Sequence, residues 1–214
     1  MGRKRKGDPV HGWLIVDKPL GLTSSTVVGK VKRLFNAAKA GHGGTLDPLA
    51  SGVLPIAFGE ATKTVSYVMD GIKVYQFTVR WGESRTTDDG EGEVTRTSDV
   101  RPDEAAINDA LKSFVGDIEQ VPPAYSAIKV DGKRAYDLAR NDIAVELKPR
   151  TIHIERFDLI DMPGPDHGTF EVVAGKGSYM RGLARDLALK LGTCGHISAL
   201  RRLKVGPFDE KVAI

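Results

Sequence analysis

The densest concentration of chemistry-capable residues lies between positions 41 and 52, Gly41-His42-Gly43-Gly44-Thr45-Leu46-Asp47-Pro48-Leu49-Ala50-Ser51-Gly52. Glycine in such number costs folding entropy, so it marks tight turns or close approach to a ligand. Asp47 precedes a proline, which biases it toward extended backbone and presents its carboxylate from a loop. A loop carboxylate can act as a nucleophile, a general base or a metal ligand. It can also simply bond local amides in an Asx turn. The glycine spacing matches neither a Walker loop nor a dinucleotide fingerprint.

A second constellation is Gly175-Lys176-Gly177-Ser178-Tyr179-Met180-Arg181. A glycine turn leads into a helix that Ser178 could cap. Its exposed amides and Lys176 suit a phosphate. Arg181 suits a buried carboxylate such as Asp47, or a surface ion pair. Third, Tyr75, Tyr125, Tyr136 and Tyr179 stand near Lys73, Lys129, Arg134 and Arg181 in sequence. Aromatic and basic groups in company suit bases splayed from an RNA loop, although a single tyrosine is as readily a core residue. The five histidines show no i, i+4 pairing, and Cys194-x-His196 is a lone pair of candidates, so no metal site is expected. No Gly-x-Ser-x-Gly elbow supports a serine triad.

The elements that must position these residues follow from the hydrophobic pattern. Trp13–Val16 reads as a strand, broken by Lys18-Pro19-Leu20-Gly21. A helix capped by Ser24 or Ser25 carries Val27, Val28, Val31, Leu34 and Phe35. Strand 53–58 and helix 60–69 follow the glycine segment, and 73–81 alternates as a two-faced strand. Pro102-Asp103-Glu104 opens a helix that Gly116 can end. Residues 125–136 hold a strand and an Asp131-Gly132 turn, followed by a short helix over 134–140. Strands at 150–161 and 168–174, an amphipathic helix over 178–191 with Leu183, Leu187 and Leu191 on one face, and a strand near 197–205 complete the chain. The expected class is α+β, with a mixed, mainly antiparallel sheet flanked by helices. Residues 1–10 read as a flexible basic tail before one domain over 11–210.

Composition narrows the function. Apolar residues make up 41% and charged residues 28%, as in an ordinary globular protein. No apolar run is long enough to cross a membrane as a helix, and no signal peptide follows the basic N-terminus, so a cytoplasmic location is expected. One cysteine excludes a disulfide framework. The net charge is only +3, but it is unevenly spread. Between 176 and 204, Lys176, Arg181, Arg185, Lys190, Arg201, Arg202 and Lys204 face Asp186 alone. Between 83 and 93, five acids face Arg85 alone. The basic third points to a polyanionic partner or to a solvated basic face.

Together these segments resemble the bacterial tRNA pseudouridine-55 synthases, the TruB type. The 41–52 segment is similar to that family's catalytic motif. Four further blocks match in order: Val16-Asp17-Lys18-Pro19-Leu20-Gly21; Gly59-Glu60-Ala61-Thr62-Lys63; Pro122–Lys129 with Gly132–Tyr136; and Lys176–Arg181 with Leu200–Leu203. The resemblance covers residues 11 to about 206. It implies the pseudouridine synthase fold with a central catalytic cleft, and isomerisation of uridine to pseudouridine at position 55 of the tRNA T-loop after the base is flipped out. It implies no metal, nucleotide or redox cofactor, a tRNA T-arm partner, no membrane association and a monomer.

The resemblance also implies roles. Asp47 matches the catalytic aspartate, and Arg181 the arginine that pairs with it and keeps it ionised. Tyr75 matches a tyrosine that stacks on the flipped uracil. Tyr179 and Leu200 would line the same pocket, and His42 would fill the gap the base leaves. Lys18 would support the pocket. Lys63, Lys129, Arg134 and the 201–204 run, Arg202 included, would contact phosphates, making affinity salt-dependent. Three departures stand out. Arg85-Thr86-Thr87 replaces the usual Thr-Asp-Thr, Ala174 replaces a frequent cysteine, and the small C-terminal RNA-binding domain usual in the family does not follow Ile214. A tRNA binder without catalysis and a carboxylate-dependent nucleosidase remain rivals. The second normally needs two opposed carboxylates.

Overall fold

The computed structural model describes residues 7–126, 128–130, 133–134 and 147–214. Tyr136, the Asp131-Gly132 turn and most of the expected 134–140 helix lie outside the described residues. The chain forms two compact units, one of residues 1–76 with 200–214 and one of residues 77–199. Both crossings fall inside strands, after Gln76 and after Ala199.

In the first unit, strand β1 (Gly12–Lys18) pairs antiparallel with β3 (Ala50–Phe58) over its whole length. β2 (Ala40–His42) also pairs antiparallel with β3. The C-terminal part of β12 (Gly195–Val205) runs parallel to the start of β3, with Leu200, Arg201 and Arg202 opposite Ala50, Ser51 and Gly52. β13 (Phe208–Asp209) folds back on β12. One core gathers Val27, Leu46, Ala50, Leu54, Ile56 and Phe58, and another Ile15, Val53, Val68 and Val205. β3 is an almost continuous apolar run because both its faces are covered, which is why it does not alternate.

Helix α1 (Ser24–Leu34) is capped by Thr23, whose hydroxyl accepts from Thr26 N–H at 3.0 Å. The expected cap at Ser24 or Ser25 is thus one residue late, because the Ser24 side chain points into the fold. Leu34, expected on the apolar stripe, is 81% exposed, while Phe35 stacks on Phe58 at 5.4 Å. The expected 60–69 helix is a 3-10 turn (Gly59–Lys63) followed by α2 (Val65–Asp70). Residues 8–10 are not a free tail. Asp8 bridges to Ala37, and its carboxylate accepts from Asn36 Nδ2 at 3.2 Å.

In the second unit, the strand order is β4 (Lys73–Trp81), β11 (His167–Ala174), β10 (Arg150–Asp161) and β7 (Gly116–Gln120). β10 pairs antiparallel with both neighbours. Two small antiparallel pairs, β5 (Glu83–Arg85) with β6 (Val94–Thr97) and β8 (Lys129–Val130) with β9 (Lys133–Arg134), stand apart. The sheet core is aromatic: Phe157 lies 5.8 Å from Phe77, 6.0 Å from Phe114 and 5.6 Å from Phe170. Helix α3 (Glu104–Leu111) is capped by Asp103, with Pro102 just outside. Gly116 does not end that helix but opens β7 in left-handed backbone. Helix α4 (Met180–Lys190) buries Leu183 and Leu187 as its period requires. Ser178 does not cap it; its hydroxyl donates to Gly175 O at 3.2 Å and closes the glycine turn instead. The fold is α+β with a mixed sheet, as the patterning predicts.

Candidate active site

The Asp47 loop is built wholly within the first unit. Gly43 N–H donates to Pro55 O at 2.8 Å where the loop leaves β2. Leu46 is buried in the core beside Ala50 and Leu54, which pins the residue before Asp47. After Asp47, Gly21 N–H donates to Pro48 O at 2.8 Å and Ala50 N–H to Asp47 O at 3.0 Å. The loop therefore has a defined path rather than a flexible one, despite its glycines.

Lys18, the last residue of β1, is fully buried. Its ammonium donates to Pro19 O at 2.9 Å and Leu22 O at 2.7 Å. Burial pulls its pKa down, the charge of Asp47 pushes it up, and that of Arg202 pulls it down. Lys18 is thus a buried support for the turn that meets Pro48. Burial first, and then the charge of Arg202, hold the His42 imidazole below its ordinary pKa against a backbone hydrogen bond with Gly44, and among the described residues its Nδ1 is buried without a hydrogen-bond partner. Leu200 packs on the core that holds Leu46. Tyr75 lies half-buried in β4, and Lys63 is exposed beside Glu60.

Arg202 departs from expectation. It is 2% exposed, which is incompatible with a phosphate contact. Nε donates to Val53 O at 2.9 Å, Nη1 to Thr45 O at 3.3 Å and Nη2 to Gly44 O at 3.1 Å. Its neighbour Arg201 makes a bidentate pair with Asp17 at 2.9 and 2.8 Å, and a side-chain hydrogen bond from Arg201 holds Asp17 below the usual carboxylate range. Only Lys204 of the basic run is exposed.

In the second unit, Arg181 is buried in the first turn of α4. It donates to Thr87 O at 2.9 Å and Tyr125 O at 2.7 Å, and its Nε stands 3.7 Å from Asp89. A surface ion pair is therefore the wrong description. Asp88 takes left-handed backbone at φ 59° and pairs with Arg185 at 3.1 Å, which fixes the turn that Arg181 grips. Tyr179, at the N-cap of α4, is held through its backbone by Gln120, with Nε2 donating to its carbonyl at 3.0 Å and Oε1 accepting from its N–H at 2.9 Å. Lys129 and Arg134 lie opposite each other on the β8–β9 pair. Asp89 and Gln120 went unread in the sequence. Asp89 is submerged in an acidic run, and Gln120 sits in a strand beside two charged residues, Asp117 and Glu119.

Among the described residues, no group of three or more histidine, cysteine or acidic side chains could hold a metal ion, and no helix is long and apolar enough to cross a membrane. A model of the TruB family pseudouridylate synthase N-terminal domain matches residues 32–180, and one of the tRNA pseudouridylate synthase B C-terminal domain matches residues 181–214. The chain belongs to the TruB family of pseudouridylate synthases. It is 64% identical to tRNA pseudouridine synthase B of Rhodospirillum rubrum over all of this chain and 70% of that protein. Its identity to the enzyme of the same name from Gluconacetobacter diazotrophicus is 62%, over 99% of the chain and 69% of that protein. A crystallised Cbf5-Nop10-Gar1 complex contains a chain similar at a TM-score of 0.73 and 33% identity, covering 94% of this chain and 50% of that one. A second similar chain, at TM-score 0.72 and 28% identity, comes from an H/ACA RNP bound to a substrate RNA and matches all of this chain and 57% of its own length. The chemistry to be explained for this TruB-family chain is therefore the isomerisation of uridine to pseudouridine.

Proposed function

We propose that this chain isomerises uridine 55 in the T-loop of tRNA, as a cytoplasmic monomer, with Asp47 as the reactive carboxylate. The bond from ribose C1′ to N1 breaks and a bond from C1′ to C5 forms. C5 loses its proton to solvent and N1 gains one, so the reaction is balanced without a cofactor. Positive charge develops at C1′ as the glycosidic bond breaks, and a carboxylate held beside it stabilises that charge. The family resemblance gives Arg181 the role of the arginine that partners the catalytic aspartate, and Tyr75 that of stacking on the uracil. The resemblance further assigns Tyr179 and Leu200 to the flipped base and His42 to the gap that the base leaves in the T-loop. Lys63, Lys129 and Arg134 meet phosphates.

The observation that carries the reading is the Asp47 loop. It matches the family motif and is anchored by buried polar partners, although glycines would otherwise leave it free. The test is tritium release from transcribed tRNA labelled at C5 of uridine. The wild type should release label from the T-loop, and Asp47→Asn should bind the same tRNA without release. Release by Asp47→Asn at the wild-type rate would remove Asp47 from the chemistry. Binding without release by the wild type would make the chain a tRNA binder.

A further inference from the structure

We propose that Ser24 and Arg202 are positioning residues that fix the backbone around Asp47 and so set where its carboxylate stands during reaction. The inference rests on the reading of Asp47 as the reactive carboxylate and adds the means by which it is held.

Ser24 is 2% exposed. Its hydroxyl donates to Leu46 O at 3.0 Å and accepts from Leu46 N–H at 2.8 Å. One hydroxyl thus satisfies both polar groups of the residue next to Asp47. The Leu46 carbonyl belongs to the peptide plane that Asp47 shares, so that plane cannot turn without breaking a buried bond. Buried backbone groups left without partners are costly, which makes the arrangement resistant to rotation.

Arg202 acts from the other side. Its side chain bonds the carbonyls of Gly44 and Thr45 at the start of the loop and of Val53 beyond its end. Its own backbone stands opposite Gly52 in the parallel pairing of β12 with β3. A Cβ on Gly52 would come within 2.2 Å of Arg202 O, and one on Gly44 within 3.3 Å of Arg202 Nη1. One residue therefore ties the entry of the loop to its exit, with Asp47 between the two ties. A planar fork of fixed donors can do this; an ammonium on a flexible stem reaches fewer carbonyls at once. Catalysis is sensitive to such placement, since a shift of about 1 Å can cost roughly 10²-fold in rate.

The test compares Ser24→Ala, Arg202→Lys, Arg202→Met and Asp47→Asn by tritium release, tRNA binding and thermal melting. If the residues position the loop, Arg202→Lys and Arg202→Met lose kcat by roughly 10²-fold and Ser24→Ala by roughly tenfold, the smaller loss reflecting one freed peptide. KM and Kd for tRNA stay within about twofold of wild type, since the binding surface is untouched. A phosphate role would give the opposite split: Arg202→Met would raise KM and Kd and reduce the salt slope by about one, and Arg202→Lys would behave nearly as wild type. That result overturns the proposal. So does unchanged kcat in Ser24→Ala and both Arg202 variants while Asp47→Asn is inactive, in which case the Asp47 reading stands alone. An active Asp47→Asn fells the Asp47 reading and this inference with it. If the Arg202 variants do not fold, Ser24→Ala decides; unfolding of Ser24→Ala as well overturns the proposal, because the residues would then serve the domain and not the loop.

Discussion

Replacing Gln120 with leucine tests whether helix α4 is held at its N-terminus by a side chain from strand β7. Gln120 is 1% exposed and exchanges two hydrogen bonds with the Tyr179 backbone, at 3.0 and 2.9 Å. Leucine fills similar volume but offers neither partner. The Tyr179 carbonyl keeps its helical bond from Leu183 N–H at 3.0 Å, so the Tyr179 N–H bears most of the loss. Two net hydrogen bonds at about 1 kcal/mol each give a destabilisation of about 2 kcal/mol. For a chain of this length that is a fall in Tm of about 4–8 °C. Glutamate separates the two bonds. It still accepts from the N–H, but when ionised it cannot donate to the carbonyl, and it buries a charge. Gln120→Glu should therefore lose more stability than Gln120→Leu at pH 8 and recover part of it as the pH falls and the carboxyl gains a proton. Calorimetric melts of both variants at pH 8 and pH 5 measure this. A Gln120→Leu variant melting within about 1 °C of wild type would refute the reasoning, as would a Gln120→Glu deficit that does not shrink with acid.

Two further outcomes follow from the same geometry. Gly52→Ala should cost about 3 kcal/mol or more, since φ is 101° and the new Cβ meets backbone of β12 at 2.2 Å, whereas Gly29→Ala, with open space and helical backbone in α1, should gain about 0.5–1 kcal/mol; urea titrations of both check the opposite signs. His196 is buried with Nδ1 bonded to Glu83 O at 2.9 Å, and burial holds its pKa below the usual 6.5, so the unfolded chain takes up the proton first. Its contribution to stability is complete above pH 6.5 and is lost as the pH falls through the folded value; urea midpoints at pH 7.5 and 5.5 should differ less in His196→Gln than in wild type, and an unchanged difference would exclude His196 as a source.

Periodicity made much of this fold legible. β1, β4, β10 and β11 stand within two residues of their expected bounds because each alternates or runs apolar against a clear break. β6 was not read because all four of its residues are exposed, so no hydrophobic pattern marks it. β7 was missed because Asp117 and Glu119 give it the look of a loop. The 60–69 helix was read as one element because its composition does not show where 3-10 geometry yields to α. The Asp47 loop was legible from glycine density. Arg202 does not show its depth in the sequence because its neighbours are basic and charge says nothing of burial: Arg201 is half-buried and Lys204 exposed, while Arg202 between them is buried.

What the sequence pattern hides in this chain has one physical origin. A loop rich in glycine has few side chains with which to satisfy its own buried amides and carbonyls, so partners must come from elsewhere. Ser24 reaches Leu46 across 22 positions, Arg202 reaches Gly44 across 158, and Gln120 reaches Tyr179 across 59. Helical and strand periods report neighbours a few residues apart and carry no signal at these separations. Serine, arginine and glutamine are residues usually left at the surface, so composition argues against their burial as well. They become intelligible only once the loop they serve is in place: each is buried because a neighbouring backbone would otherwise be left without a partner. A polar side chain in such a position is a statement about the backbone it bonds: substitution of Gln120 should be read first in stability, and substitution of Ser24 or Arg202 first in the rate of the reaction the Asp47 loop supports.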